Sequence, residues 1–217
     1  MYLAVCTRPD IAYAVNYLSQ YNNCFQKEHW IAAKRILRYL KGTSNHGLTY
    51  QKTGRPLSSY VDADWANDRI DRKSYTGSAF ILSNGAISWE SRKQRSVALS
   101  STEAEYMSLT DAAKEGIHLI GFLKELGMEN LANVQMFNDN QSAAKFAHNP
   151  IYHARSKHID VRFHFIREVL RCQPIKLEYL PTDLMIADVL TKPLSYAKHE
   201  KFRKGLGVKI PDNQRSD

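Results

Sequence analysis

The sequence predicts an α/β fold preceded by a small helical segment. Three observations predict it. Residues 1–48 carry apolar residues at helical spacing; residues 57–92 break into short aromatic and aliphatic runs; from residue 100 helices and strands alternate.

In the first segment, Pro9-Asp-Ile-Ala-Tyr-Ala-Val-Asn-Tyr-Leu18 places proline at a helix start and apolar residues three and four apart. His29-Trp-Ile-Ala-Ala-Lys-Arg-Ile-Leu-Arg-Tyr-Leu40 is a second amphipathic helix, ended by Gly42. Lys34, Arg35, Arg38 and Lys41 decorate it and suit either a nucleic-acid backbone or plain solvent. Strands follow at 57–62, 75–82 and 86–92, and Asn84-Gly85 signals a hairpin turn between the last two. A long helix spans 100–126 and ends at Gly127, with Leu109, Ala113, Ile117, Ile120 and Leu123 on one face. A strand at 133–138, helices at about 140–148 and 159–171, a strand at 175–180 and a helix from about 183 complete the order. Residues 203–217 read as a frayed polar tail. Trp65 and Trp89 read as core aromatics.

The chain has 217 residues, of which 43% are hydrophobic, enough for a sizeable core. Its net charge of +8 favours an acidic partner, of which nucleic acid is the usual one. Cys6, Cys24 and Cys172 are odd in number and far apart, which argues against a zinc site or disulfide scaffold and for reduced core thiols inside a cell. No apolar run reaches the roughly 18 residues needed to span a bilayer.

Four carboxylates stand at element ends or on helices. Asp62 closes a strand, where an aspartate also serves as a turn former, and Asp64 competes with it two residues on. Ser101 or Thr102 suits the cap of the long helix, which gives Glu103 a structural place in its first turn. Glu105 precedes Leu109 by four and so falls on the apolar face, where a carboxylate is costly unless a cation or donor meets it. Asp139 follows a strand and leads into a helix, a place where it, Asn138 or Asn140 suits an N-cap. Asp188 borders an apolar stripe on a late helix. If the four converge they need cations between them, and hard oxygen ligands suit Mg²⁺.

In this order the motifs resemble the ribonuclease H domain of copia-type LTR retrotransposon polyproteins. The resemblance rests on Tyr60-Val-Asp-Ala-Asp-Trp-Ala66, Arg72-Lys-Ser-Tyr-Thr-Gly77, Ile87-Ser-Trp-Glu-Ser-Arg92, Ala98-Leu-Ser-Ser-Thr-Glu-Ala-Glu-Tyr106 and Asp139-Asn-Gln-Ser-Ala143. It continues through Arg155-Ser-Lys-His-Ile-Asp160, His164-Phe-Ile-Arg-Glu168 and Ala187-Asp-Val-Leu-Thr-Lys-Pro193. The segment before residue 50 resembles the end of the reverse transcriptase that precedes this domain.

The resemblance implies a ribonuclease H-like fold: a mixed five-stranded sheet with helices on both faces. It implies a ribonuclease H-like domain over 55–194, a helical remnant of the reverse transcriptase over 1–48, and a C-terminal helix and tail over 195–217. It assigns Asp62, Glu105, Asp139 and Asp188 as metal ligands and catalytic residues, holding two Mg²⁺ ions with Mn²⁺ as a substitute. The implied reaction is hydrolysis of the RNA strand of an RNA–DNA hybrid, with the rest of the Pol polyprotein as partner and the cytoplasm as the place, in a virus-like particle or elsewhere in the cell, the nucleus being the alternative. Arg155, Lys157, His158 and Arg162 are the candidate substrate contacts, and Arg72, Lys73, Arg92, Lys93 and Arg95 form further basic clusters. The alternative is an inactive nucleic-acid-binding fragment of a degenerate element. One departure stands out: the loop at 179–186 lacks the histidine that many cellular ribonucleases H carry there. Tyr60-Val-Asp-Ala63 lacks the second aspartate of a Tyr-x-Asp-Asp polymerase turn, so no polymerase activity is expected.

Overall fold

The computed structural model describes residues 1–68, 70–148 and 157–211. The helices are α1 (Tyr2–Cys6), α2 (Ala12–Ser19), α3 (Lys27–Gly42), α4 (Ser101–Glu125), α5 (Gln141–His148), α6 (Lys157–Cys172) and α7 (Tyr196–Gly205). The strands are β1 (Gly47–Leu48), β2 (Leu57–Asp64), β3 (Tyr75–Leu82), β4 (Gly85–Lys93), β5 (Val134–Asn138), β6 (Ile175–Tyr179) and β7 (Val208–Lys209).

Five strands form one mixed sheet in the order β4-β3-β2-β5-β6. β2, β3 and β4 are antiparallel neighbours, while β5 runs parallel to both β2 and β6. Such parallel neighbours need long crossovers. α4 supplies the crossover from the antiparallel strands to β5, and α5 and α6 lie between β5 and β6. This is the mixed five-stranded sheet with helices on both faces that the resemblance implies.

Alternation along β3 divides the core. Phe80 joins Leu57, Val61, Leu109, Val134, Met136, Ile166 and Val169 on the α4–α6 face. Ala79 joins Ala12, Ala86, Val189, Leu190, Phe202, Leu206 and Val208 on the other. Phe80 is fully buried, so truncating it to alanine costs about 3–5 kcal/mol.

α4 shows how local chemistry delimits an element. Its N-cap is Ser100, whose hydroxyl accepts the Glu103 N–H at 3.1 Å. The Glu103 carboxylate accepts the Leu99 N–H at 2.8 Å, so Glu103 does the structural work of a helix start. At the far end Gly127 has φ +71°, while Met128 N donates to Leu123 O and Gly127 N to Lys124 O, both at 2.9 Å. That double closure uses the left-handed conformation glycine tolerates.

The hairpin turn lies one residue before the expected pair. Ser83 (φ 54°) and Asn84 (φ 63°) are its two central residues, and both have the positive φ of a type I′ turn. Gly85 opens β4, where an added Cβ would sit 2.7 Å from the Tyr50 ring.

Several expectations are corrected. Asp188 lies on a short 3₁₀ turn, Ile186–Leu190, and not on an α-helix running from about 183. The chain packs that turn directly on the sheet, and Pro193 follows closely. Residues 203–211 are not frayed: Arg203 is buried, bonds Glu200 at 2.9 Å and donates to Val208 O at 2.6 Å, and β7 pairs with β1. Phe202, Leu206 and Val208 give this stretch an apolar face that needs the sheet. Trp65 is 53% exposed, with its indole N–H donating to Ala98 O at 3.1 Å, and Trp89 is half-buried, donating to Ala4 O at 2.8 Å. All three cysteines are exposed, because Cys6 and Cys172 end their helices and Cys24 lies in the α2–α3 loop.

The N-terminal segment is fastened by a buried network. Arg8 Nε and Nη2 each donate to Asp10 at 2.9 Å, Tyr39 Oη donates to Asp10 at 2.6 Å, and Arg8 Nη2 donates to Thr43 Oγ1 at 2.7 Å. Ala12 enters the second core cluster, and the Tyr13 ring meets Tyr75 edge-on at 5.2 Å.

Candidate metal centre

The parallel pairing of β2 and β5 brings their C-terminal ends together, with Val61 beside Asn138 in register. Asp62 follows on one strand and Asp139 on the other. α4 crosses below and supplies Glu105. Asp62, Glu105 and Asp139 each offer a carboxylate oxygen within 4.8 Å of the others. Asp62 and Glu105 are 1% and 5% exposed.

Each carboxylate has its own holder. The Asn138 amide donates to Glu105 Oε2 at 2.9 Å and to Val61 O at 3.1 Å. The Asn138 side-chain oxygen accepts the Asn140 N–H at 3.0 Å, so this one buried amide ties together β2, α4 and the start of α5. Thr191 Oγ1 donates to Asp62, and Thr182 Oγ1 donates to Asp139 at 2.6 Å. Asn140 caps α5 by accepting the Ala143 N–H at 3.0 Å, which leaves Asp139 free of the capping role.

Asp188 lies outside the three-carboxylate group; its turn packs into the second core cluster, on the other face of the sheet. Asp62 pairs with Gly77 across β2 and β3. A Cβ at Gly77 would lie 2.6 Å from Thr191 Cγ2, 2.9 Å from Leu190 Cβ and 3.0 Å from Ala187 O. The bare Cα therefore lets the Asp188 turn lie on the strand. Lys192 bridges the two sides: its ammonium is 2.9 Å from Asp188 Oδ1 and 3.5 Å from Asp62 Oδ2.

The electrostatics follow from burying several carboxylates together. Burial raises the Asp62 carboxyl above its usual range, although Lys192 and Thr191 oppose the rise. Burial and the Asp62 charge push Glu105 well up. Asp188 is pushed up to about 7 by burial and then by Asp62, against the pull of Lys192. Burial raises the Lys192 site's cost too, but Asp62 and Asp188 more than restore its charged form. Asp64 is pushed up to about 6 by burial and accepts the Tyr75 N–H; it stands outside the three-carboxylate group.

Of the candidate substrate contacts, Arg162 is half-buried and lines a cavity of about 280 Å³ with Thr76, Gln94, Arg95 and Lys114. Arg155 lies outside the described residues, as do the side chains of Lys157 and His158. The other basic clusters are partly spent within the chain. Arg92 pairs with Glu90 at 2.6 Å and Asp111 at 2.8 Å, while Lys93 pairs with Asp68 at 2.6 Å and Asp71 at 2.9 Å.

From the sequence Asn138 suits only a cap of α5, a role Asn140 takes, and Thr182, Thr191 and Lys192 carry no individual assignment. The available signal for Lys192 was its spacing, four residues after Asp188. Among the described residues no helix is long and apolar enough to cross a membrane.

No protein-family model matches the chain. The retrovirus-related Pol polyprotein from transposon TNT 1-94 of Nicotiana tabacum is 47% identical over 208 residues, 96% of this chain and 16% of that protein. The Pol polyprotein from transposon RE2 of Arabidopsis thaliana is 43% identical over 213 residues, 97% of this chain and 14% of that protein. Among solved structures, LC11-RNase H1, isolated from compost by a metagenomic approach, superposes with TM-score 0.49 at 17% identity over 63% of this chain and 93% of that one. The chain thus spans about one seventh of the length of the curated relatives it matches. Retrovirus-related Pol polyproteins of plant transposons are thus homologues of this chain, 43–47% identical over most of its length.

Proposed function

We propose that this chain is the metal-dependent endonuclease segment of a copia-type Pol polyprotein, hydrolysing the RNA strand of RNA–DNA hybrids. The observation that carries the reading is the meeting of Asp62, Glu105 and Asp139 within 4.8 Å in a chain with these homologues.

The donor set fits the implied metal. Every ligand atom offered is a carboxylate oxygen, the chemistry of Mg²⁺ or Mn²⁺ and not of a nitrogen–sulfur zinc site. Asp62, Glu105 and Asp139 would hold the metal, with Asp188 facing the same centre across the Lys192 ammonium. Bound divalent cations supply the Lewis acidity that activates water for attack on a phosphodiester and stabilises the departing 3′ oxygen.

The chain itself supplies placement. Asn138 fixes the Glu105 carboxylate, Thr191 fixes Asp62 and Thr182 fixes Asp139, so the ligands are oriented before a cation arrives. Thr182 stands in the loop where a histidine was missing, and its hydroxyl is the group that loop offers to the centre. Arg162 and Arg95 present positive charge for substrate phosphates, in line with a net charge of +8. Preference for RNA opposite DNA would come from 2′-hydroxyl contacts and groove shape rather than from base reading.

The test is cleavage of an end-labelled RNA–DNA hybrid in Mg²⁺, beside matched duplex DNA and duplex RNA. Cutting of the RNA strand of the hybrid alone is expected, and its loss on chelation. A folded chain that binds the hybrid without cutting it in Mg²⁺ or Mn²⁺ would establish the inactive binding fragment instead.

A further inference from the structure

Lys192 stands in the carboxylate cluster in the manner of a bound cation. Its ammonium touches Asp188 Oδ1 at 2.9 Å and Asp62 Oδ2 at 3.5 Å, oxygens of two side chains that are each 2% exposed. A divalent cation on this side of the cluster needs the same two oxygens. The ammonium and the cation therefore exclude each other. The Glu105–Asp139 side differs: Glu105 is held by the Asn138 amide and Asp139 by the Thr182 hydroxyl, both neutral donors.

The lysine also has somewhere to go. Its side chain is 31% exposed, and it lines a cavity of about 780 Å³ between α2, α3 and the Asp188 turn, with Tyr13, Tyr17, Asn67 and Arg35. A lysine head on a flexible four-carbon stem can exchange between two such places where a planar guanidinium would be constrained.

We infer that Lys192 is an internal counter-cation: it holds the Asp62–Asp188 side of the cluster closed while that side is empty, and swings into the adjoining cavity when a divalent cation binds there. This rests on the metal-binding reading above and adds an asymmetry to it. The Glu105–Asp139 side binds a cation without displacing a protein charge. The Asp188 side binds one only in competition with Lys192. An ammonium in place about nine-tenths of the time weakens the apparent affinity of that side about tenfold.

The experiment is calorimetric titration of Mn²⁺ and Mg²⁺ into the wild-type chain and Lys192→Met, with thermal melts of each in chelator and in saturating Mn²⁺. Methionine keeps the length and removes the charge. The expected result is one tight and one weak site in the wild type, and a second site about tenfold tighter in the variant. The variant should also melt lower than wild type in chelator and nearly level with it in Mn²⁺, because the cation replaces the missing ammonium. Should Lys192→Met fail to fold in both conditions, Lys192→Gln carries the same comparison. Equal affinities in wild type and variant overturn this inference alone. Failure of both chains to bind either cation overturns the metal reading, and this inference with it.

Discussion

Two buried ionic networks sit within one chain, and they are built on opposite plans. Around Asp10 the charges balance. One guanidinium faces one carboxylate through two hydrogen bonds of 2.9 Å, and Tyr39 adds a third donor. Burial works to raise the Asp10 carboxyl, yet Arg8 and Tyr39 outweigh it and hold the group below its ordinary range. Around Asp62 the charges do not balance. Lys192 pairs with Asp62 and Asp188 alone, and burial with mutual repulsion raises Asp62, Glu105 and Asp188. The first network is complete as it stands and fastens α3 to the N-terminal turn. The second is arranged at the cost of stability and has room for positive charge from outside.

The sharpest way to break this comparison is to remove one charge from each network. Asp139→Asn and Glu105→Gln keep shape and lose a ligand's charge. Each should lower hybrid cleavage by about a thousandfold or more, the scale of several kcal/mol of metal-borne stabilisation, with thermal melts nearly unchanged. Steady-state cleavage beside a melt decides it. Asp10→Ala should do the reverse. It leaves Arg8 buried without its partner, so denaturant unfolding should show a loss of about 3–5 kcal/mol. Cleavage per folded molecule should stay close to wild type. A variant that moved both readouts equally would mean that the two networks are not separable.

Asn138→Ala sharpens the comparison, because this amide belongs to the unbalanced network but bears no charge. Loss of the group that orients Glu105 should weaken Mn²⁺ affinity about 10- to 100-fold, as read by calorimetry. Acid titration probes the balanced network. The folded Asp10 value lies below the unfolded value of about 3.9, so its contribution is full above that pH and is lost as pH falls through the folded value. The stability gap between wild type and Asp10→Asn should therefore be constant from pH 7 to about 5 and close only below about 4. The smallest effect belongs to Glu103→Gln. Glu103 helps start α4 and stands outside the three-carboxylate group, so the change should cost about 1 kcal/mol or less and leave cleavage intact. A dead Glu103→Gln with an active Glu105→Gln would reverse the roles drawn for the two glutamates.

The regular elements were legible because their signals are local. The aromatic and aliphatic runs of β2 to β4, the capped apolar stripe of α4 and the alternation in β5 each need only neighbours in sequence. The place of Glu105 was legible for the same reason, since four residues on a helix fix a face. What the sequence hid depends on what lies across the fold. Nothing near Trp65 says that its indole bonds Ala98 at the surface, and nothing near residue 203 says that Arg203 and Val208 close against β1. The hairpin was visible but displaced by one, because Gly85 is demanded by the Tyr50 ring and not by the turn. Asn138, next to Asp139, shows its role only when β2 and α4 are both in place.

The absent side chain at Gly77 has an experimental use. It sets the gap between the sheet and the turn bearing Asp188, and that gap is already too narrow for one carbon. A series of alanine, serine and valine at this position would act as graded shims beneath a single carboxylate. Asp62, Glu105 and Asp139 form the three-carboxylate group on other elements, so the shims would move Asp188 relative to that group. How steeply cleavage falls along the series would give the distance tolerance of Asp188 by itself.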